Sequence, residues 1–292
     1  GEPPRALGQP GRTIYGTNVV TDYIWYNSSN SICPDDNYRL CSINTSNNGI
    51  TLQNLRYTYD DTGNVTGVAD SSPLSQEIEN DRLARLNSLG DMTYTYSTNG
   101  TRPHAVASAG GNTYIYDYNG NMTSGAGRSI TYNHENMPLT LTANGITTSI
   151  DYDGLGERIK KTTGTNTTFY INGLYECTNG TCIKYIFSNG QRIAAKTSTG
   201  AVYYFHPDHL GSSSVITASN GLNVENLAYY PYGQTEVDTG TANVPYKYTG
   251  QELDDSTGLY DYNARLYDPV LGRFITADSI VPDPGDPQSF NR

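Results

Sequence analysis

The stretch Tyr114-Ile115-Tyr116-Asp117-Tyr118-Asn119-Gly120-Asn121 joins a strand pattern to a turn pattern. Tyr and Ile favour β-strands, in which neighbouring side chains point to opposite faces of the sheet. The Asx and Gly residues that follow are typical of tight turns, because Asn and Asp side chains bond to nearby backbone and Gly adopts left-handed conformations. The stretch therefore predicts the end of a β-strand that runs directly into a turn.

Similar units recur along the chain. The second tyrosine of successive units stands at Tyr59, Tyr96, Tyr116, Tyr132 and Tyr152, so that most steps are 16 to 20 residues and one is 37, about two units. Such a period fits two short strands and two turns, which makes the repeat unit a β-hairpin. One hairpin cannot bury its own aromatic face, so we predict an all-β protein in which many hairpins lie side by side in a long sheet.

The composition agrees with an all-β chain that uses tyrosine as its main apolar residue. The 292 residues include 26 Tyr and 30 Gly, and only 36% are hydrophobic. A tyrosine ring buries a large area and keeps a hydroxyl for a polar partner. The net charge of −11 argues against a nucleic-acid partner, and no apolar run approaches the roughly 20 residues of a transmembrane segment. Neither end resembles a natural chain end, so we expect a mature fragment or an excised segment of a longer protein.

One segment departs from the hairpin pattern. Residues 75–89 place Ile78, Leu83, Leu86 and Leu89 at nearly helical spacing before Gly90, so that a short helix and an irregular strand pair both fit. Outside this segment, only the Gly/Pro-rich residues 1–12 resemble a linker, and residues 282–287 are expected to be extended or turn-like.

The four cysteines form two local pairs, Cys33 with Cys41 and Cys177 with Cys182. The second pair flanks Asn179-Gly180, which favours a two-residue hairpin turn and would bring the two cysteines opposite each other. The spacing does not resemble a zinc site. We therefore predict two disulfides and a secreted or cell-surface location, with reduced thiols in a cytoplasmic protein as the alternative.

The tyrosine–aspartate units resemble YD repeats, and the end of the chain resembles the Rhs repeat-associated core. The matching blocks keep the order and approximate spacing of that family. They are Tyr203-Tyr-Phe-His-Pro-Asp208-His209-Leu-Gly211-Ser212, Tyr229-Tyr-Pro-Tyr232-Gly233, Tyr248-Thr-Gly-Gln-Glu252-Leu-Asp254, Thr257-Gly-Leu-Tyr260-Asp-Tyr262-Asn-Ala-Arg265-Leu-Tyr267-Asp268-Pro269 and Leu271-Gly272-Arg273-Phe274-Ile-Thr-Ala-Asp278. The resemblance divides the chain into an N-terminal β segment of uncertain match (1–50), YD-type hairpin repeats (51–202) and an Rhs core (203–292).

The resemblance implies a spiralling sheet of β-hairpins, as in Rhs proteins, insecticidal toxin-complex components and teneurins, where the sheet forms a hollow shell. In the bacterial toxins of this family the Rhs core plugs one end and cleaves itself, which releases a toxin enclosed in the shell. The expected partners are therefore the rest of the chain's own shell, an encapsulated C-terminal toxin, or copies of the chain itself. No cofactor is implied.

The same resemblance implies a structural role for most of the core block. Its members are Asp208, His209, Gly211, Tyr232, Gly233, Arg265, Tyr267, Asp268 and Gly272. Arg273 and Asp278 match positions where a charged pair assists self-cleavage in the family. The family's cleavage motif continues past Arg292, so these two residues are weak catalytic candidates and we predict no catalytic residue in this segment.

Other chemistry has weaker support from the sequence. Asp208, His209 and Ser212 suggest a catalytic triad, but neighbouring strand residues point to opposite faces, which disfavours it. Asp60, Asp61, Asp117 and Asn119 suit either a calcium ion or turn capping, and they lack EF-hand spacing, so we predict no metal site. A polysaccharide lyase using Tyr with His104 or His134 has no distinctive spacing. Seven Asn-x-Ser/Thr sequons follow from the composition, at Asn27, Asn44, Asn64, Asn99, Asn121, Asn166 and Asn179.

These observations favour a secreted or cell-surface β-scaffold that encloses, displays or polymerises and has no turnover chemistry of its own. Two alternatives remain, an autoproteolytic core of a toxin shell and a subunit of a surface fibre or coat.

Overall fold

The computed structural model describes residues 11–16, 18–26, 39–59, 65–71, 94–96, 105–242 and 244–278. The segment 75–89, for which the sequence leaves a helix and a strand pair open, lies outside the described residues. The described residues form antiparallel strands and one short 3₁₀ turn, Tyr248–Gly250. The all-β architecture predicted from the tyrosine repeat is therefore confirmed. No helix in the described part of the chain is long and apolar enough to cross a membrane.

The first sheet has five strands in sequence order. Its strands are β1 (Arg12–Tyr15), β2 (Val19–Trp25), β3 (Leu40–Asn47), β4 (Ile50–Tyr59) and β5 (Val65–Asp70). Strands β3 and β4 form a tight hairpin in which Asn47 pairs with Ile50, so the hairpin spans residue 50.

The second sheet has 16 strands, again each paired with its neighbours in sequence. Its strands are β6 (Tyr94–Tyr96), β7 (Val106–Ala109), β8 (Asn112–Tyr116), β9 (Met122–Gly125), β10 (Arg128–Tyr132), β11 (Pro138–Ala143), β12 (Ile146–Tyr152), β13 (Arg158–Thr163), β14 (Asn166–Ile171), β15 (Tyr175–Thr178), β16 (Thr181–Ser188), β17 (Gln191–Thr197), β18 (Val202–Pro207), β19 (Ser213–Ala218), β20 (Asn223–Tyr229) and β21 (Thr235–Gly240).

A third sheet of four short strands ends the described chain. Its strands are β22 (Glu252–Asp254), β23 (Leu259–Asp261), β24 (Leu266–Asp268) and β25 (Arg273–Phe274). We call residues 251–278, which contain this sheet, the C-terminal segment.

The chain divides into two compact units. The first contains Gly1–Leu83, Tyr185–Tyr230 and Thr235–Gly250, and the second contains Ala84–Lys184, Pro231–Gln234 and Gln251–Arg292. The first sheet belongs to the first unit, and the C-terminal segment belongs to the second.

A five-residue loop explains the Asx–x–x–Gly part of the repeat. After β8, Asp117 Oδ1 accepts the backbone N–H groups of Asn119 and Asn121, each at 2.9 Å, while Gly120 adopts a left-handed conformation. The loops that begin at Asn133, Asp153 and Asp208 repeat both side-chain bonds. The Asx residue of each unit therefore caps its own loop.

The tyrosine of the repeat fastens its strand to the preceding one. Tyr152, at the end of β12, donates its hydroxyl to the carbonyl of Pro138, the first residue of β11, at 2.9 Å. The same bond from a strand-end tyrosine to the first residue of the preceding strand recurs in three further pairs, Tyr59 with Leu40, Tyr132 with Met122 and Tyr229 with Ser213. We call this contact the tyrosine clamp. It makes the tyrosine, rather than an apolar residue of similar size, the residue that the repeat requires.

Candidate functional site: the seat of the C-terminal segment

The C-terminal segment rests on one face of the hairpin strands of its unit. Leu259, Leu266, Leu271 and Ile275 of the segment share one buried apolar cluster with residues of the hairpins. The hairpin residues of this cluster are Val106, Ala109, Tyr114, Met122, Ile130, Leu141 and Ile150. This cluster and the ion pairs described next form what we call the seat.

Arg128 and Asp268 form the first ion pair of the seat. Arg128 begins β10 and is 8% exposed, and Asp268 ends β24 and is fully buried. The Nε and Nη1 of the guanidinium donate to backbone carbonyls, that of Gly125 at 3.4 Å and that of Thr257 at 3.1 Å. Asp268 Oδ1 also accepts the backbone N–H of Val270 at 2.9 Å. Both charges therefore have partners, which is the condition under which a buried pair is tolerated.

Arg158, which begins β13, joins two strands of the C-terminal segment. Its guanidinium contacts Glu252 on β22, and its Nη1 lies 2.6 Å from Asp261 Oδ2 on β23. Lys161 Nζ lies 2.6 Å from Glu252 Oε1 and 3.8 Å from Asp254 Oδ2. Every cation of these pairs lies on the hairpin strands, and every carboxylate lies on the C-terminal segment.

Burial and neighbouring charges act against each other at the acidic residues of the seat. Burial favours the neutral form of Glu252, but Arg158 and Lys161 outweigh it and lower its pKa below the usual value. At Asp261 burial prevails over the attraction of Arg158, so that its pKa is raised. The hydroxyl of Tyr170 donates to Glu252 Oε1 at 2.9 Å, and burial together with this carboxylate raises the tyrosine pKa.

Burial and the neighbouring carboxylates also act against each other at Lys161. Burial lowers the pKa of Lys161, but the Glu252 and Asp254 carboxylates outweigh burial and leave the pKa raised. Lys161 therefore stays charged at neutral pH and fits an acidic partner.

The two weak catalytic candidates, Arg273 on β25 and Asp278 just after it, contact different residues. Asp278 Oδ2 lies 3.0 Å from Arg265 Nη2, and the Arg265 guanidinium stacks on the Phe274 ring at 3.9 Å. Arg273 Nη2 lies 3.2 Å from the hydroxyl of Tyr96 and donates to it. Asp278 is thus placed by an arginine of the core block, and its side chain is 39% exposed.

The other core-block residues of this unit support backbone contacts. The Tyr267 hydroxyl donates to the carbonyl of Tyr232 at 3.0 Å, and the Tyr260 hydroxyl donates to the carbonyl of Gly233 at 3.0 Å. Gly272 has a positive φ, and a Cβ there would lie 3.2 Å from the Tyr232 ring. Close approach therefore requires glycine at residue 272.

The block Asp208–Ser212 lies in the first unit and has no triad geometry. Asp208 Oδ1 accepts the N–H groups of Leu210 and Ser212 in its own loop, in which Gly211 adopts a positive φ. Ser212 is fully buried, and its Oγ accepts the backbone N–H of Thr249 at 3.0 Å. The His209 ring packs against Tyr57 of the first sheet, 4.6 Å between ring centroids. These contacts join β-elements and leave Ser212 without access to a substrate.

Sequence reasoning missed a buried histidine, His206, which lies three residues before His209. His206 on β18 is fully buried, and its ring nitrogens lie 3.2 Å from Thr21 Oγ1 and 2.9 Å from Thr217 Oγ1. Tyr15 meets the imidazole edge-on at 4.3 Å. Burial lowers the pKa of His206 to about 3, so the ring is neutral at physiological pH. A histidine inside the Tyr-Tyr-Phe-His-Pro strand is the signal that could have indicated it.

The hairpin cysteines are paired. Cys177 and Cys182 are directly opposite in β15 and β16, with Cα atoms 4.0 Å apart, and form a disulfide. Cys41 is also disulfide-bonded, and its predicted partner, Cys33, lies outside the described residues.

The remaining candidate sites give no constellation in the described part of the chain. No group of three or more His, Cys, Asp or Glu side chains there is arranged to hold a metal ion. Asp117 caps its loop, the Asn119 side chain donates to Asn136 Oδ1 at 2.8 Å, and Asp60 and Asp61 lie outside the described residues. His134 is exposed beside Glu135, and His104 lies outside the described residues.

The sequons differ in accessibility. Asn121 is buried, whereas Asn166 and Asn179 are exposed and joined by a side-chain bond of 2.8 Å. Asn44 is half-buried on β3, and Asn27, Asn64 and Asn99 lie outside the described residues.

Comparison with known proteins identifies related chains for nearly the whole sequence. The family model described as "Teneurin YD-shell" matches residues 21–291. The chain is 30% identical over 245 residues to the "tRNA3(Ser)-specific nuclease WapA" of Bacillus spizizenii, a match that covers 79% of this chain and 10% of that protein. It is 26% identical over 260 residues to human Teneurin-1, covering 80% of this chain and 9% of that protein. The chain thus spans about a tenth of the length of these curated relatives.

Solved structures share the fold. In "Crystal Structure of TcdB2-TccC3" the similarity covers 93% of this chain and 18% of that chain, with a TM-score of 0.65 and 20% identity. "Structure of Photorhabdus luminescens Tc holotoxin pore, Mutation TccC3-D651A" matches over 97% of this chain and 18% of that chain, with a TM-score of 0.65 and 19% identity.

Proposed function

We propose, since the chain belongs to the teneurin YD-shell family, that it is a section of a shell wall that encloses a cargo and has no turnover chemistry of its own. In this proposal residues 51–202 are the hairpin wall, residues 203–292 are the Rhs core, and residues 1–50 add to the wall. The core would close one end of the shell as a plug. The scaffold would act in secreted or cell-surface form.

The observation that carries this proposal is the seat. Four buried leucine and isoleucine side chains and three wall cations hold the C-terminal segment on the hairpin strands. A terminal segment attached in this way acts as a fixed closing element rather than as a mobile tail. The partners that fit are further wall of the same shell, an enclosed polypeptide, or another copy of the chain.

The name of the Bacillus relative describes cleavage of tRNA. For this protein we assign any such activity to a cargo and none to the wall. The surroundings of His206 and His209 support this assignment. His206 is fully buried between two threonines, and the His209 ring packs on Tyr57. Neither imidazole is placed to transfer a proton to or from a bound substrate.

A protease-protection assay tests the enclosing role. The natural gene product is digested with a nonspecific protease, in native form and after denaturation, and the surviving fragments are identified by mass. We expect the wall and one further polypeptide to survive only in the native form, because a closed shell excludes the protease. The proposal would be contradicted if every polypeptide of the native sample, the wall included, were cleaved as fast as in the denatured sample. Negative-stain images that show filaments would favour the fibre or coat instead.

Self-cleavage is the second candidate, and the setting of Asp278 favours it. Arg265 orients this carboxylate at 3.0 Å, while more than a third of the side chain stays open to solvent or to a following peptide segment. If the gene product cleaves itself, Asp278→Asn should leave it intact. Asp151→Asn, which changes an exposed carboxylate on β12, is the matched control and should not affect cleavage. Unchanged cleavage in the Asp278 variant would remove this residue from the mechanism.

A further inference from the structure

The seat carries one more negative charge than it can pair at Arg158 and Lys161. Three carboxylates, Glu252, Asp254 and Asp261, face these two cations. Glu252 and Asp261 are both largely buried, while Asp254 is the more exposed of the three. A buried carboxylate without its own cation is costly, and the usual relief is uptake of a proton.

The register of the third sheet brings two of these carboxylates next to each other. Glu252 on β22 and Asp261 on β23 are directly opposite each other, and both contact the same guanidinium, that of Arg158. Like charges in opposite positions of an antiparallel pair destabilise the pairing. The third sheet is therefore held against the wall by an arginine that has to serve two repelling carboxylates.

Asp261 is the member of the pair that is placed to take the proton. Glu252 has two further donors, Lys161 Nζ at 2.6 Å and the Tyr170 hydroxyl at 2.9 Å. Apart from Arg158, Asp261 accepts the backbone N–H of Asn263 at 2.8 Å. The anion of Asp261 is thus the less stabilised of the two. The opposite directions of their pKa shifts agree with this order.

We propose that the seat is a proton-operated latch in which one proton, taken up at Asp261 beside Glu252, tightens the hold of the C-terminal segment on the wall. The titratable and charged groups that face Asp261 are Arg158 and Lys161 on β13, Glu252 on β22, and Tyr152 on β12. Both tyrosines of the seat, Tyr152 and Tyr170, have pKa values raised by burial and stay neutral.

The sign follows from linkage. A group whose pKa is higher in the seated segment than in the detached one binds its proton more tightly when seated, so the seat gains stability as the pH falls through that pKa. Glu252, whose pKa is lowered, keeps its charge through this range and takes up a proton only in stronger acid. Mild acid therefore tightens the latch, and strong acid opens it. The proposal rests on the proposed function only in that both concern the same seat.

Hydrogen exchange of the full chain, followed by mass spectrometry, tests the latch. Protection of peptides from residues 251–278 is measured from about pH 7.5 to about pH 4.5 and corrected for the intrinsic pH dependence of exchange. We expect protection of the segment to rise up to about fivefold as the pH falls, the size of one cross-strand charge repulsion. Asp261→Asn should already be more protected at the highest pH and should lose the pH dependence. Asp151→Asn, at an exposed pair with Lys160, should behave like the unchanged chain.

Two results would overturn the latch while leaving the seat itself intact. One is protection of the segment that stays flat or falls over this pH range in the unchanged chain. The other is a pH dependence that persists in Asp261→Asn. By contrast, a segment that exchanges as fast as a disordered peptide at every pH would mean that the seat does not form, which would count against the proposed closing role.

Discussion

Breaking the Arg128–Asp268 pair should detach the C-terminal segment locally. In Arg128→Met the carboxylate of Asp268, which has no exposed surface, keeps backbone N–H donors but loses its cation. The Thr257 carbonyl, 3.1 Å from Arg128 Nη1, loses its donor as well. Removing one partner of a buried ion pair costs about 3–5 kcal/mol. This loss is a large fraction of the stability of a typical domain, roughly 5–15 kcal/mol.

The other single change and the double change isolate the pair. Asp268→Asn keeps an acceptor for the Val270 N–H but leaves Arg128 charged and unpaired, so we expect a loss of about 3 kcal/mol. The double variant removes both charges. Because the unpaired charge causes most of each single loss, we expect the double variant to be less destabilised than the sum of the two single losses, with a coupling of at least about 1 kcal/mol.

The assay is hydrogen exchange of peptides that cover 259–275, with peptides that cover 202–229, in the first unit, as the internal reference. Global denaturation is less suitable for this test, because it does not separate local detachment of the segment from unfolding of the rest of the chain. Arg12→Gln, at an exposed pair with Asp22, is the matched control and should change protection little, since surface pairs contribute at most about 1 kcal/mol. Additive losses in the double variant, or single losses below about 1 kcal/mol, would refute the role of this pair in the seat.

Three further changes test the hairpin units. Gly125→Ala should destabilise by about 1–3 kcal/mol in thermal unfolding, because the new Cβ would lie 2.1 Å from the Tyr114 ring, whereas Gly154→Ala meets no atom within 4 Å and should not. An equal effect of the two changes would contradict the crowding. Tyr152→Phe removes one tyrosine clamp and should cost about 1 kcal/mol in urea unfolding; no loss would mean that water replaces the bond. The stability of the first unit should fall as the pH decreases from about 6.5 toward 3, because His206 stays neutral when folded but takes a proton when unfolded. His206→Asn should flatten this dependence in pH-dependent unfolding, and an unchanged slope would assign it to other groups.

The hairpin architecture could be predicted from the sequence because its determinants are local. The interval between Tyr132 and Tyr152 sets the length of one hairpin unit, and the Asx residue that follows each tyrosine bonds to N–H groups two and four residues later. The Cys177–Cys182 pair could be predicted for the same reason, since Asn179-Gly180 fixes the register of its hairpin.

The seat could not be predicted in this way because its contacts are not local. Arg128 and Asp268 lie 140 residues apart, and Arg158 lies 94 residues from Glu252. No spacing in the sequence relates a cation on one strand to a carboxylate on a distant one. The prediction drew attention instead to His209, whose neighbour Asp208 suggested chemistry, although it is His206 that occupies the polar interior.

The two kinds of contact assign different tasks to the repeat and to the end of the chain. Within a repeat, Tyr152 bonds back to the preceding strand and Asp153 caps the loop that follows, so both side chains find their partners in a neighbouring strand or loop. Contacts of this kind can be repeated over any number of hairpins, because they join only neighbouring strands and loops. The contacts of the seat are of the other kind. Arg128, Arg158 and Lys161 place buried charges beside the apolar cluster, and the distant C-terminal segment carries the carboxylates that pair with them. The position of these cations on the hairpin strands therefore fixes where the C-terminal segment binds.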